Sequence, residues 1–194
     1  MKRQLLGLFA AFFVLSLTSD AQVVLNEINL VTGPNAGQFV ELHGPANQSV
    51  DGHALVVVKS SFSGGNWTAT VQDVVDLQGE SLDGEGFLLL DGEGWQNTVA
   101  GVVLAAQPAS EFEPNAPPVF TGIADAVLYG NTSVTNPQMA AIVAVVNPDA
   151  TSTVYEGGEG VNAGTDGLSR VPDGGATLDQ EFVMQALSPG SSNV

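Results

Sequence analysis

Residues 23–58 read VVLNEINLVTGPNAGQFVELHGPANQSVDGHALVVV. Three apolar-rich runs, 23–30, 38–43 and 53–58, are separated by Gly, Pro, Asn and Asp, the pattern of strands joined by tight connections. The first two runs each carry one carboxylate among apolar neighbours, Glu27 and Glu41. A lone charge inside a strand is either a functional group or an anchor satisfied by hydrogen bonds. The choice between those two readings governs what can be said about function.

The same punctuation continues outward. After a glycine- and serine-rich stretch at 60–66, SSFSGGN, expected to be a loop, β-branched residues alternate through 67–77. Further apolar runs follow at 87–90, 98–105, 123–129, 141–146, 167–171 and 181–187. Residues 107–118 hold several prolines and are expected to be a loop, because proline removes ladder donors. At 141–146 the β-branched Ile142, Val143, Val145 and Val146 favour a strand. The preceding Asn136-Pro137 is also a helix-start signal. Residues 147–167 read as an irregular connection. The expectation is an all-β chain, with about eight short strands forming a two-sheet sandwich, or alternatively a closed barrel. No repeat of 20–50 residues argues for a propeller or solenoid.

Toward the N-terminus, MKRQLLGLFAAFFVLSLTSDAQ has a basic start at Lys2-Arg3, an apolar run over 5–17, and small residues at Ser19 and Ala21. This is the layout of a secretory signal peptide over 1–21, cleaved after Ala21, with one domain over 22–194. The apolar run is shorter than the roughly 20 residues that span a bilayer, so no membrane span is expected. The 194 residues carry a net charge of −17. Removing 1–21 takes away two basic residues and one acidic, leaving −18 with Lys59 and Arg170 as the remaining basic side chains. Such a surface repels nucleic acid, whose binding rests on Lys and Arg. The absence of cysteine excludes disulfides, thiolate metal sites and cysteine nucleophiles.

Several side chains invite chemistry. Glu27 and Glu41 are the carboxylate pair one would nominate for acid–base work, but the strand setting favours structural anchoring. With two basic residues after position 21, Arg170 is the expected partner of one of them. His43 and His53 are the two imidazoles; His43 alternates with Glu41 along one strand, yet a catalytic zinc usually needs three protein ligands. The repeated Asp83-Gly84-Glu85-Gly86 and Asp91-Gly92-Glu93-Gly94 offers Asp83, Glu85, Asp91 and Glu93 as weak calcium ligands. An extended strand between the two copies separates them by roughly 26 Å, so each DGEG reads more simply as a turn. Trp67, Trp95 and Phe62 are the residues for a sugar-stacking platform, with Trp67 expected in the core. No serine lies in a G-x-S-x-G elbow, and the glycine-rich 157–160 lacks the lysine of a phosphate loop. Sequons at Asn47, Asn66 and Asn131 mark expected surface loops.

Taken in order, VVLNEIN, QFVELHGP, SVDGHALVVV, LDGEGFLLL, ADAVLYG, LSRVPDGG and ALSPGSSN resemble the lamin tail domain in its bacterial secreted form, over 23–193. The resemblance implies an immunoglobulin-like β-sandwich and an accessory role in exported or cell-surface proteins, sometimes beside nucleases, phosphatases or other hydrolases. The run at 141–146 departs from it, lacking an acidic residue at its start, and the loops at 106–118 and 147–165 are long. The functional expectation is a secreted or periplasmic, non-enzymatic binding or structural module with an extracellular protein or glycan partner. The alternatives are a small metal-dependent extracellular hydrolase or its accessory subunit, and a carbohydrate-binding adhesin. Beyond calcium, no cofactor is expected.

Overall fold

The computed structural model describes residues 22–30, 37–95, 99–130, 136–146, 166–171, 173 and 182–193. The expected signal peptide and the connection at 147–165 lie outside them. Nine strands occur among the described residues: β1 (Val24–Asn29), β2 (Gln38–His43), β3 (Ala54–Ser63), β4 (Asn66–Asp76), β5 (Phe87–Gly92), β6 (Val99–Ala105), β7 (Ile123–Gly130), β8 (Asp166–Arg170) and β9 (Phe182–Ala186). They form a five-stranded sheet, β5-β2-β1-β8-β9, and a four-stranded sheet, β4-β3-β6-β7. All the pairings are antiparallel.

The two sheets close on one core. Leu25, Ile28, Val40, Leu42 and Leu168 from the five-stranded sheet meet Leu55, Val57, Val102, Leu104 and Val127 from the other. Residues between these positions point the opposite way, as the period of two requires. On the four-stranded sheet they too are buried: Ala54, Val56, Val58, Val103 and Leu128 pack beneath Phe112, Met139, Ile142 and Val146. This explains why β3 and β6 read as continuous apolar runs rather than as an alternation. Each is covered on both faces, which is more often seen in parallel sheets.

The second cover is a helix, and it corrects the strand expected at 141–146. Helix α1 spans Pro137–Val146. Asn136 Oδ1 accepts from the Gln138 amide at 2.9 Å, and Asn136 O accepts from the Ala140 amide at 2.8 Å. Pro137 stands in the first turn, where a missing N–H costs nothing. The β-branched residues do not prevent the helix, because Met139, Ile142 and Val146 all fall on one face and are buried. Tertiary packing thus overrides a propensity difference of a few tenths of a kcal/mol per residue. Gly101 makes the close approach: a Cβ there would stand 2.9 Å from Ile142 Cγ2 and 3.2 Å from Val146 Cγ2.

The expected loop at 60–66 is also corrected. It is the end of a long β3–β4 hairpin, in which Ser60 to Ser63 pair with Ala69 to Asn66. Gly64 and Gly65, at φ 59° and 87°, supply the two positive-φ positions that a two-residue hairpin turn demands.

Candidate functional site

A register shift in β1 places the candidate carboxylates. Leu25 pairs with Leu42, but Glu27 pairs with Glu41, so Asn26 is the extra residue of a β-bulge. The bulge returns Ile28 to the core after Leu25 and puts Glu27 on the sheet's other face, directly opposite Glu41. Two like charges facing each other on adjacent strands repel. Both side chains are nonetheless fully buried, at 0% exposure, so their oxygens must be satisfied within the protein.

The C-terminal segment satisfies them. Glu27 Oε1 accepts from Ser169 Oγ and from the Ser188 amide, each at 2.9 Å, and Oε2 accepts from the same amide at 3.2 Å. Glu41 Oε1 accepts from Asn26 Nδ2 at 2.8 Å, and its Oε2 accepts from the Gly190 amide. Asn26 Nδ2 also donates to Asp173 Oδ1 at 3.0 Å. Asp173 in turn accepts from the Asn193 amide at 3.0 and 3.2 Å. Asn193 completes the layer by accepting from Ser188 Oγ at 2.7 Å and donating to Arg170 O at 3.2 Å. Burial raises the Glu27 carboxyl above its ordinary range, against the opposing donors Ser188 and Ser169. Burial likewise pushes Glu41 up to about 7, opposed by Asn26 and Gly190 and reinforced by Glu27 and Asp173.

Arg170 is not the ionic partner of either glutamate, which corrects the expected pairing. Its guanidinium turns the other way, into the space between the sheets, and Nη2 meets Asp125 Oδ2 at 2.8 Å with both side chains buried. Nε donates to Leu25 O at 2.9 Å, Phe182 lies beneath at 4.7 Å from ring centroid to Cζ, and Asp125 Oδ2 also accepts from the Leu25 amide at 2.9 Å. Alternation on β8 explains the split: Ser169 faces Glu27, and Arg170 faces the opposite side. Burial pulls the guanidinium below its usual range, and Asp125 opposes that shift.

The other candidates are dispersed. Asp83 Oδ1 accepts from its own loop's amides, Glu85 at 2.9 Å and Phe87 at 2.8 Å. These bonds, led by that of Phe87, hold its carboxyl below the usual range. The first DGEG is thus a self-satisfied turn with Gly86 at φ 94°. The second begins within β5, where Asp91 pairs with Phe39 and Gly92 with Gln38. Asp83 and Asp91 therefore sit at opposite ends of β5. Among the described residues, no group of three or more His, Cys, Asp and Glu side chains is placed to hold a metal. His43 lies against the Phe87 ring, with centroids 4.8 Å apart, and His53 Nδ1 is 3.3 Å from Asp51 O.

The three aromatics do not form one platform either. Trp95 is buried in the core, with Nε1 donating to Asp73 Oδ2 at 2.7 Å and its amide donating to Gln38 Oε1 at 2.7 Å. Trp67, expected in the core, is half-buried at the hairpin tip, its ring centroid 5.1 Å from that of Phe62. The residues that sequence reasoning missed are Asp125, Asn26, Ser169, Asp173, Ser188 and Asn193. Asp125 was legible as one carboxylate in the apolar run IADAVLY, the same sign that singled out Glu27 and Glu41. The small polar residues have no such signal, since their role comes from contacts with partners up to 167 positions away.

Among the described residues, no helix is long and apolar enough to cross a membrane. Comparisons with protein-family models, with curated proteins and with solved structures find no match for this chain.

Proposed function

We propose that the chain is exported, loses residues 1–21, and acts at the cell surface or in the medium as a non-enzymatic binding or structural module of lamin-tail kind, with an immunoglobulin-like sandwich. The observation that carries this reading is the use made of its carboxylates. Glu27 and Glu41 have no exposure to solvent, and their oxygens accept from Ser169, Ser188, Asn26 and Gly190. A general acid or base must instead reach the proton of a bound substrate. The motifs behind the family resemblance support the same view. VVLNEIN contributes Asn26 and Glu27, QFVELHGP contributes Glu41, ADAVLYG contributes Asp125, LSRVPDGG contributes Ser169, Arg170 and Asp173, and ALSPGSSN contributes Ser188, Gly190 and Asn193. Motifs scattered along the chain thus converge in two hydrogen-bonded clusters that join the first strands to the last.

The test is expression of the full chain in a bacterial host that exports proteins. Mass spectrometry of the extracytoplasmic protein is expected to show a chain beginning at Gln22, without turnover of phosphomonoester, phosphodiester or peptide substrates. Retention of unprocessed chain in the cytoplasm, or turnover abolished by Glu27→Gln or Glu41→Gln, overturns the proposal.

A further inference from the structure

We propose that residues 187–193, LSPGSSN, form a pH-controlled strap, closed over Glu27 and Glu41 at low pH and released at high pH while the two sheets stay folded. The segment follows β9 and is pinned by three of its amides, each donating to a carboxylate from a different part of the chain: Ser188 to Glu27 on β1, Gly190 to Glu41 on β2, and Asn193 to Asp173 after β8. A tight turn sets their spacing, with the Ser191 amide donating to Ser188 O at 2.9 Å and Gly190 at φ 72°. Residues 189–192 are exposed, whereas both glutamates are fully buried. The strap thus stands between the carboxylates and water. Apart from the side-chain bonds of Asn193 to Ser188 and to Arg170 O, little else holds it. Leu187 is its one large aliphatic side chain and is only half-buried, and a groove of about 280 Å³ bordered by Gln185, Ala186, Leu187, Ser188 and Ser192 runs along it. A segment with so few buried apolar contacts opens locally at far lower cost than the whole fold.

The charges beneath the strap decide when it opens. Glu27 and Glu41 are opposed across β1 and β2, and the Asn26 side-chain amide links Glu41 to Asp173 by donating to both. Strand alternation puts His43 on the same face as Glu41, where it lies against Phe87, and β5 brings Asp91 one alternation beyond Leu89, the partner of Glu41. Residues 182–193 of β9 and the strap carry no charge, and Arg170 is turned away to Asp125. When ionised, the two glutamates therefore have only neutral donors, Ser169, Ser188, Asn26 and Gly190. Ionisation strengthens the bonds from the strap, but burial outweighs them at both glutamates, and Glu27 and Asp173 add repulsion at Glu41. The closed strap holds the Glu41 proton up to about pH 7, whereas opening solvates the carboxyl and returns it toward its ordinary 4.5. The closed state binds the proton more tightly, so it is favoured in acid and gives way as pH rises through about 7.

The experiment is amide hydrogen exchange of the full chain at about pH 5.5 and 8.5, read as protection factors so that the intrinsic pH dependence of exchange cancels. Protection of the Ser188, Gly190 and Asn193 amides is expected to fall about tenfold or more at the higher pH, while the Val56 and Val102 amides of the core strands stay protected. Glu41→Gln, which cannot ionise, should reduce that fall to less than about threefold. Gly190→Pro removes the donor to Glu41 and cannot adopt a positive φ, so it should leave the strap unprotected at both pH values over an intact core. Four results would overturn the strap: equal protection of its amides at both pH values, loss of core protection in step with it, an undiminished pH effect in Glu41→Gln, or collapse of core protection in Gly190→Pro. The comparison of strap with core in the wild type decides even where a variant does not fold. None of these outcomes bears on signal cleavage or turnover, so failure of the strap is distinguishable from failure of the proposed function.

Discussion

Arg170 on β8 and Asp125 on β7 meet at 2.8 Å with almost no exposure of either side chain, and this contact ties the five-stranded sheet to the four-stranded one. The same Asp125 oxygen holds the Leu25 amide, so three strands depend on one carboxylate. Removing one member of a buried pair leaves the other's charge buried without its ionic counterpart, at a cost of about 3–5 kcal/mol. Arg170→Met and Asp125→Ala are each expected to lower the melting temperature by roughly 10 °C, at about 2–4 °C per kcal/mol for a domain of this size. Arg170→Met/Asp125→Leu is expected to recover more than half of that loss, because no buried charge is stranded. A shift within about 1 °C for either single variant would show that the bridge is dispensable.

Glu41 makes stability depend on pH in a defined direction. Its carboxyl is raised to about 7 in the fold, above the ~4.5 of the unfolded chain, so the folded state holds the proton more tightly. Its stabilising contribution is complete below about 4.5 and is lost as pH rises through about 7. Glu27 is shifted in the same direction. A shift of this size corresponds to about 3 kcal/mol for Glu41 as an upper estimate. Urea denaturation is expected to show a greater fall in stability from pH 5 to pH 8 for the wild type than for Glu41→Gln. At pH 8 the variant should be the more stable protein. Comparing the two cancels the general repulsion of an acidic chain, and parallel pH profiles would mean that Glu41 is ionised in the fold without penalty.

Where hydrophobic period and turn chemistry agreed, the elements were legible: β1, β2, β5, β6 and β7 fall within a few residues of their apolar runs. The failures have physical reasons. Residues 137–146 carry β-branched side chains whose helical state depends on the sheet beneath them and on the gap at Gly101. The 60–66 segment looked like a loop because serine and glycine dominate it, although Gly64-Gly65 is also a hairpin-turn signal. Glu27 and Glu41 stand out in the sequence as lone carboxylates in apolar runs, but charge scarcity points to Arg170 as their partner, whereas their donors are Ser169, Ser188, Asn26 and Gly190. The bulge at Asn26 aligns Glu27 with Glu41, and strand alternation turns Arg170 toward Asp125. Neither register nor facing is encoded in composition.

Gly92 is required by Trp95. A Cβ at position 92 would stand 2.4 Å from the indole carbons, and the ring cannot yield easily because its Nε1 is held by Asp73 and its amide by Gln38. Gly92→Ala is expected to displace the indole from the core and cost about 1–3 kcal/mol as overpacking. In a Trp67→Phe background, the remaining fluorescence reports Trp95 alone. Its emission should shift to the red and become accessible to acrylamide; unchanged emission would show that the backbone absorbs the methyl group instead.

The docking of α1 is open to a sharper test than a single truncation. Ile142 is fully buried over Gly101, so Ile142→Ala should cost about 2–5 kcal/mol. Gly101→Val fills the same space from the sheet side and should cost about 1–3 kcal/mol, because its added methyl groups press on Ile142 and Val146. If both act through this one contact, the double variant should be less destabilised than the sum, since the shortened side chain makes room for the valine. A favourable coupling of about 1 kcal/mol in a denaturation cycle is expected. Simple additivity would instead place the effect of Gly101→Val in the β6 backbone, leaving the helix seated on the sheet by its other contacts.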